Sequence, residues 1–201
     1  MRKMADPIRK TDHHYTYADA RQWPEDDRWE LIDGVAYSMS SPTDAHQHIS
    51  MELGYQIRRF LEGKPCRVIA APFDVLFYRL PEQDENDVDT VVQPDLLVTC
   101  DRGRIRPNGH WGAPDLVVEI LSPSTSRKDQ NEKYNLYERS GVKEYWVIDP
   151  AGRWVQQYLL EPNGRYAPEV TRLGKGSLVS PTIAGLEIAV ETLWPETSFE
   201  R

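Results

Sequence analysis

Two acidic residues stand inside hydrophobic, strand-like runs of this 201-residue sequence: Asp95 in QPDLLVTC and Glu119 in PDLVVEIL. A carboxylate buried in a strand is costly unless it is paired or bound to a cation. Two such acids on consecutive strands also repel each other, and a hard divalent cation such as Mg²⁺ relieves the repulsion by taking their oxygens as ligands. We therefore interpret Asp95 and Glu119 as a metal site.

A lysine beside two metal-binding acids would complete a site for phosphodiester hydrolysis. The cation lowers the pKa of a bound water, while the ammonium group orients the nucleophile or stabilises charge that develops in the transition state. Lys133 is the candidate, because its face of a predicted helix leans on the sheet near Glu119. The simpler explanation is an exposed Asp129–Lys133 pair, four residues apart on that helix.

The first part of the chain predicts a short helix and a β-hairpin. Thr16 and Asp19 have the spacing of a capping box and begin the helix. In RWELIDGVAYSM, the dipeptide Asp33-Gly34 is typical of a type I′ turn between two strands of alternating hydrophobicity. Glu30 projects to the face opposite its apolar neighbours on the first of these strands.

A longer helix is predicted from Thr43 to Leu61, because apolar residues recur there every three or four positions. His46 lies on the apolar stripe and His48 does not, so the two are a poor pair of metal ligands for one helical face. For His46 alone, a buried or capping histidine and a site residue both stay open.

Strand-like runs dominate the remainder, with one further helix that Ser126 caps and Gly141 ends. RVIAAPFDVLFY, VVQPDLLVTC and APDLVVEIL are predicted to form the sheet centre, followed by a hairpin of EYWVIDP and RWVQQYLL and short strands at RYAPEV and LEIAV. The predicted fold class is α/β (α+β), a mixed central sheet flanked by helices, with an N-terminal hairpin. We expect a flexible segment 1–14 and a single domain 15–201, whose strands after about residue 160 form an extension.

The net charge of −8, from 32 acidic and 24 basic residues, argues against a protein that binds nucleic acid through general basicity. Any such contact must be local. The run DRGRIRPNGH offers Arg102, Arg104 and Arg106, and also His110, for contact with a phosphate backbone. A solvated loop is the plain structural interpretation of this run.

Cys66 and Cys100 lie far apart in the sequence within or beside apolar runs. They are predicted to be free thiols in the core, with neither a disulfide nor a zinc site indicated. The opening segment is polar, and no apolar run approaches the roughly 18 residues of a membrane span. We therefore expect a cytoplasmic protein without a membrane segment.

Several longer motifs carry a family resemblance. WELIDG, the SP before His46, VVQPDLLV, GAPDLVVEILSPST and GVKEYWVIDP resemble the Uma family of restriction endonucleases in the PD-(D/E)XK (restriction-endonuclease-like) superfamily. The resemblance covers roughly residues 15–160. It implies a restriction-endonuclease-like fold, with metal binding by Asp95, Glu119 and the backbone carbonyl of Ile120.

One position departs from the motif of that superfamily, because Leu121 stands where the motif has lysine. The resemblance therefore implies that a lysine of the following helix takes this role, and both Lys133 and Lys128 are candidates. It also implies that Glu30 and His46 support the metal or its water from neighbouring elements.

Together, the residues and the resemblance predict an Mg²⁺-dependent endonuclease that hydrolyses DNA phosphodiester bonds, with Mn²⁺ as a substitute ion. A homodimer is expected, since two copies engage two strands. The alternative is a binding or assembly module of the same fold that has lost catalysis, and hydrolysis of a small phosphoester also stays open. The sequence does not separate DNA from RNA or reveal a recognition sequence.

Overall fold

The computed structural model describes residues 13–24, 28–80, 82–122, 127–167 and 170–195, and the side chains of the third helix only from residue 131. The helices within these ranges are α1 (Tyr17–Ala20), α2 (Asp44–Phe60) and α3 (Arg127–Ser140). The strands are β1 (Trp29–Ile32), β2 (Val35–Ser38), β3 (Arg67–Ala70), β4 (Val75–Leu76), β5 (Val91–Val92), β6 (Leu96–Thr99), β7 (Ile105–Arg106), β8 (Gly109–Trp111), β9 (Leu116–Ile120), β10 (Glu144–Asp149), β11 (Trp154–Leu159), β12 (Val170–Leu173), β13 (Ser177–Val179) and β14 (Glu187–Ala189).

The central sheet has the strand order β12-β11-β10-β9-β6-β3. β9 and β10 are parallel, and the other neighbouring strands are antiparallel. Parallel neighbours need a crossover connection, and α3 supplies it between β9 and β10. The sheet is therefore mixed and flanked by helices, as the sequence predicts.

A second, N-terminal sheet has the order β2-β1-β5-β4-β8-β7. Its β1–β2 hairpin turns at Asp33 and Gly34, whose φ angles of 51° and 74° are both positive, as a type I′ turn requires. Glu30 lies on β1 with a relative exposure of 6%, on the face opposite Leu31. The predicted hairpin and the predicted orientation of Glu30 are both confirmed.

Hydrophobic clusters cover both faces of the central sheet. On one face, α2 packs Ile49, Leu53 and Ile57 against β6 and β9, and the C-terminal β13–β14 hairpin joins the same cluster. On the other face, Leu136 and Tyr137 of α3 pack with residues of the N-terminal sheet. Glu119 shares this second face with Val117, as its period-two alternation predicts.

The predicted helix starts and ends agree with the structure where they are described. The Asp19 carboxylate accepts a hydrogen bond of 2.9 Å from the Thr16 N–H at the start of α1. Thr43 is the N-cap of α2, where its hydroxyl accepts from the His46 N–H at 3.3 Å. α3 ends directly before Gly141, which has a φ of 83°. Ser126, the predicted cap of α3, lies outside the described residues.

Two of the predicted central strands are divided between the sheets. RVIAAPFDVLFY contains β3 of the central sheet and β4 of the N-terminal sheet, and VVQPDLLVTC contains β5 and β6 in the same way. The break falls at Pro72 and at Pro94, which have no N–H to donate to a strand ladder. The prediction that β3 lies in the sheet centre is wrong, because β3 is an edge strand.

The prediction of two free cysteines is also wrong, because Cys66 and Cys100 form a disulfide. The antiparallel pairing of β3 with β6 sets Arg67 opposite Thr99, so the next residue outward on each strand is also opposed. The two cysteines are 34 residues apart in the sequence. Their contact depends on strand register and could not be predicted from that spacing. No helix in the described ranges is long and apolar enough to cross a membrane.

Candidate active site

The two predicted metal-binding acids come together where β6 begins and β9 ends. These strands are antiparallel, with Leu96 opposite Val118, so Asp95 lies beside the last residues of β9. Oδ2 of Asp95 accepts a hydrogen bond of 2.7 Å from the Ile120 N–H. The N–H and C=O of one strand residue point to the same edge, so the Ile120 carbonyl also faces the side of Asp95.

Glu119 is the centre of a hydrogen-bonded cluster between the central sheet and α3. Its Oε1 accepts from Lys133 Nζ at 2.9 Å and from the Tyr137 hydroxyl at 2.6 Å. Lys133 Nζ also lies 2.9 Å from Oε1 of Glu30 on β1. The side chains of Lys133 and Glu119 are each only 13% exposed, so the ion pair is shielded from solvent. The helix face predicted to carry Lys133 toward Glu119 is the face observed.

Burial and neighbouring charges set the protonation of this cluster. Burial is the largest influence on Glu119 and, with repulsion from Asp95 and Glu30, raises its pKa to about 7 against the opposing effect of Lys133. Burial alone would lower the pKa of Lys133, but the Glu119 and Glu30 carboxylates outweigh it and raise that pKa. Burial also raises the pKa of Tyr137. Lys133 is therefore held as an ammonium ion and Tyr137 as a neutral donor.

Glu30 is held in place by a residue that sequence reasoning missed. The Gln93 N–H donates to Glu30 Oε1 at 2.8 Å, and the Gln93 side-chain amide donates to Asp74 Oδ1 at the same distance. The Arg28 guanidinium donates to the side-chain amide oxygen of Gln93 at 3.0 Å. Gln93 stands two residues before Asp95, at the point where the chain crosses between the two sheets. Its position directly before Pro94 was the only signal in the sequence.

His46 contributes to the site from the first turn of α2. Its Nε2 lies 3.0 Å from Oδ1 of Asp95, and its side chain is 12% exposed. The other ring nitrogen, Nδ1, is buried and has no hydrogen-bond partner among the described residues. Of the two interpretations that the sequence leaves open for His46, the contact with Asp95 favours a site residue.

The donor atoms around Asp95 and Glu119 are those that a divalent cation prefers. No three His, Cys, Asp or Glu side chains in the described ranges are arranged to hold a metal ion by themselves. The donors offered are instead oxygens of Asp95, of Glu119 and of the Ile120 main chain, and no described residue donates to Oε2 of Glu119. Mg²⁺ binds to proteins through one or two carboxylates and keeps several waters. The residues therefore fit Mg²⁺.

The arginines predicted to contact nucleic acid lie away from these acids. They follow the end of β6 at Thr99, whereas Asp95 precedes its start. Arg102 donates to the Pro65 carbonyl at 2.9 Å, Arg104 to the Ala113 carbonyl at 3.2 Å, and the Arg106 guanidinium lies 3.9 Å from the centre of the Trp111 ring. The structure does not bring this group together with the acidic cluster.

The prediction that His110 contacts a phosphate backbone together with those arginines is wrong. The residue is fully buried in β8. Its Nδ1 lies 3.0 Å from the Gly112 carbonyl and its Nε2 3.0 Å from the Thr99 hydroxyl. No ring atom is therefore available to a phosphate, and His110 is part of the core.

A solved structure and a protein sequence from cyanobacteria are similar to this chain over most of its length. The crystal structure of a protein from Anabaena variabilis, described as "a putative nuclease belonging to DUF820", matches with a TM-score of 0.70 and 21% identity, covering 88% of this chain and 96% of its own. The likeness confirms the predicted restriction-endonuclease-like fold. The uncharacterized protein slr1290 of Synechocystis sp. is 24% identical over 181 residues, which are 89% of this chain and 90% of that protein.

A family model gives the most direct assignment. It is the model of Uma2, described as "Putative restriction endonuclease", and it matches residues 17–191. This range contains the predicted site residues Glu30, His46, Asp95, Glu119 and Lys133. The resemblance noted in the sequence motifs is thereby confirmed, and the chain belongs to the Uma2 family.

Proposed function

We propose that this protein is an Mg²⁺-dependent endonuclease that hydrolyses phosphodiester bonds in DNA. The observation that carries the proposal is the contact of Lys133 with Glu119 and Glu30, beside Asp95. A hydrolytic site of this class needs two acids and a nearby cationic group. Leu121 cannot supply that group, and the contact of the Lys133 ammonium with Glu119 supports Lys133 as its source.

Asp95, Glu119 and the carbonyl of Ile120 are the residues that would hold the metal. When bound, a divalent cation supplies a water of lowered pKa and neutralises charge on the phosphate. The hydrogen bond from the Ile120 N–H fixes one oxygen of Asp95, and His46 fixes the other. These contacts restrict the carboxylate to one orientation before any substrate arrives.

Lys133 acts in this proposal as a fixed positive charge. The two carboxylates raise its pKa, so it stays protonated and does not remove a proton from water. An ammonium group in a shielded site stabilises negative charge that develops on phosphate oxygens during displacement. Tyr137 and Glu30 are positioning residues, because they hold Glu119 and Lys133 through hydrogen bonds.

DNA as the substrate and the dimer rest on separate arguments. The description of the Uma2 family as a restriction endonuclease, and that of the Anabaena variabilis protein as a nuclease, favour a nucleic-acid substrate. One candidate site per chain cuts one strand, so cleavage of a duplex at one position calls for two copies. We therefore propose a homodimer, which light scattering after size-exclusion chromatography would detect.

The decisive experiment is a cleavage assay on supercoiled plasmid and on single-stranded DNA, with Mg²⁺, with Mn²⁺ and with EDTA. Wild type is compared with Glu119→Gln, and with Glu62→Gln as a control that changes an exposed glutamate just beyond the C-terminal end of α2. The proposal expects metal-dependent cleavage by wild type and by the control. It expects a loss of about 100-fold or more in the Glu119 variant.

Two outcomes would count against catalysis. Equal cleavage by wild type and Glu119→Gln would identify a contaminating nuclease. If all three proteins are folded and inert, the alternative gains support: the ion pair of Lys133 with Glu119 would then satisfy a buried carboxylate in a binding module. A calorimetric titration with Mg²⁺ would show whether that module still holds a metal.

A further inference from the structure

The strand register of the central sheet aligns residues of β10, β11 and β12 in one row with Glu119 of β9. Glu119 is opposite Val147 on β10, Val147 is opposite Gln156 on β11, and Gln156 is opposite Thr171 on β12. Residues paired directly across neighbouring strands project to the same face of a sheet. β11 and β12 therefore present side chains on the face that carries the active-site acid.

The next row on this face lies toward the end of the sheet where the site is. It contains Asp149, Trp154 and Leu173, which are opposite one another on β10, β11 and β12. Trp154 is half-buried, and Leu173 is 72% exposed, the second most exposed large hydrophobic residue in the described ranges. We call Trp154, Gln156 and Leu173, together with Arg153 at its rim, the β11–β12 shelf.

Arg153 gives the shelf a positive charge. It is exposed, and it has no acidic partner within ion-pair distance in the part of the chain that the structure describes. Its φ of 49° is uncommon for a residue other than glycine. Its carbonyl accepts a hydrogen bond of 2.6 Å from the Gly174 N–H, which ties the β10–β11 turn to the end of β12. Lys175, also exposed, follows directly.

We propose that the β11–β12 shelf binds the nucleic-acid strand beside the scissile phosphate, with bases against Trp154 and Leu173 and a phosphate on Arg153. The inference rests on the proposed nuclease function. Strands are about 4.8 Å apart, so β11 lies roughly 10 Å from β9, a span of about three stacked nucleotides. Aromatic and apolar surface beside a cation is the composition of sites for single-stranded nucleic acid.

Asp149 decides which part of the strand occupies which part of the shelf. Asp149 stands on β10, the strand between β9 with Glu119 and β11 with Trp154, and its Oδ1 accepts from the Ala151 N–H at 2.9 Å. A phosphate is repelled from this row, so the backbone is expected along the rim at Arg153. The bases, which carry no charge, then face Trp154 and Leu173.

The test measures binding separately from cleavage. The anisotropy of a fluorescein-labelled dT oligonucleotide is followed in Ca²⁺, which takes the same oxygen ligands as Mg²⁺ with looser geometry, and again in EDTA. Arg153→Gln and Leu173→Glu are compared with matched changes elsewhere. The controls are Arg58→Gln, which changes an exposed arginine of α2 on the other face of the central sheet, and Leu80→Glu, which replaces a leucine that is 58% exposed. All four positions are on the surface, so the variants should fold.

We expect Arg153→Gln and Leu173→Glu each to weaken binding about fivefold or more. Arg153→Gln should also reduce the slope of log affinity against log salt by about 0.7, the contribution of one phosphate contact on a single strand. Both controls should stay within about twofold of wild type. If both shelf variants bind with wild-type affinity, or if the two controls lose as much affinity as the shelf variants, the proposal that the shelf binds nucleic acid is wrong.

The outcomes also separate the shelf from the proposed function. If wild type cleaves DNA and the shelf variants bind and cleave equally well, the proposed binding by the shelf is wrong and the proposed nuclease function is supported. If binding depends on Arg153 and Leu173 but no cleavage occurs with any of the metal ions, the proposed binding by the shelf is supported and the proposed nuclease function is wrong. If the wild-type protein binds no oligonucleotide, the proposal that the shelf binds nucleic acid is wrong.

Discussion

Lys133 donates a hydrogen bond of 2.9 Å to Glu119 across 14 residues of sequence, from a helix to a strand. The PD-(D/E)XK motif has its lysine two residues after the acid, on the same strand, and this chain has Leu121 at that position. The helix that connects β9 to β10 returns over the sheet face that carries Glu119, so a residue in its middle can reach the same carboxylate. The crossover helix α3 thus brings to Glu119 the positive charge that its own strand does not provide.

Replacing Lys133 with methionine should abolish cleavage while leaving a folded protein. The change removes the cation that we propose stabilises the transition state, so a loss of about 100-fold or more in kcat is expected. It also leaves two buried carboxylates without their partner, which should lower the free energy of unfolding by roughly 3 kcal/mol. Plasmid cleavage and urea unfolding measure the two effects on the same preparation.

Lys128→Met is the control for that change, because Lys128 is the other lysine of the same helix that the sequence offers. It should retain activity. A loss of cleavage in Lys128→Met, with full activity in Lys133→Met, would transfer the proposed role to Lys128. Lys133→Arg tests geometry: its charge is retained, and partial activity would indicate that charge matters more than shape.

Tyr137→Phe should weaken metal binding without emptying the site. The hydroxyl donates to Glu119 Oε1 at 2.6 Å and fixes the orientation of that carboxylate. Residues that orient a metal ligand typically affect metal affinity or activity by about 10- to 100-fold when they are removed. Isothermal titration with Mn²⁺ should therefore show an affinity lower by about tenfold. An unchanged affinity would mean that Lys133 alone orients Glu119.

The outline of the site could be predicted from sequence because its signals are local. An acid among aliphatic residues identified Glu119, a Pro-Asp pair before a strand identified Asp95, and helical spacing pointed Lys133 toward them. The contact of Gln93 with Glu30 could not be predicted in this way. It depends on how two sheets meet, and a main-chain N–H gives no sign in the amino-acid sequence of which carboxylate it will meet.

The disulfide shows the same limit in the fold. Cys66 and Cys100 are adjacent only because β3 pairs with β6 in one register, and a shift of one residue would turn the two side chains to opposite faces. β3 was expected in the sheet centre from its hydrophobic run alone. Its place at the edge follows from which strand it pairs with, and hydrophobic pattern does not specify that.

A change from Glu144 to glutamine should destabilise the protein without affecting catalysis. Glu144 is fully buried at the start of β10, and its oxygens accept from four donors: Trp146 Nε1, Gln157 Nε2, the Ser180 hydroxyl and the Thr182 N–H. An amide replaces one acceptor oxygen with a donor, which sets donor against donor and should cost roughly 2 kcal/mol. Urea unfolding measures the loss. Cleavage below the unfolding transition should match wild type, and a selective loss of activity would contradict this purely structural role.

His110 should make the stability of the protein fall as the pH is lowered through the range in which histidine titrates. Burial is the main cause that lowers the pKa of His110 in the folded state. Below the ordinary pKa of histidine, about 6.5, the unfolded chain therefore binds more protons than the folded chain. The contribution of the neutral ring is present above that pH and is lost as the pH falls. Unfolding in urea at about pH 7.5 and about pH 5.5 should show a smaller difference for His110→Gln than for wild type. His48→Gln, which removes an exposed histidine of α2, should retain the wild-type difference, and an unchanged difference in His110→Gln would assign the pH dependence to other groups.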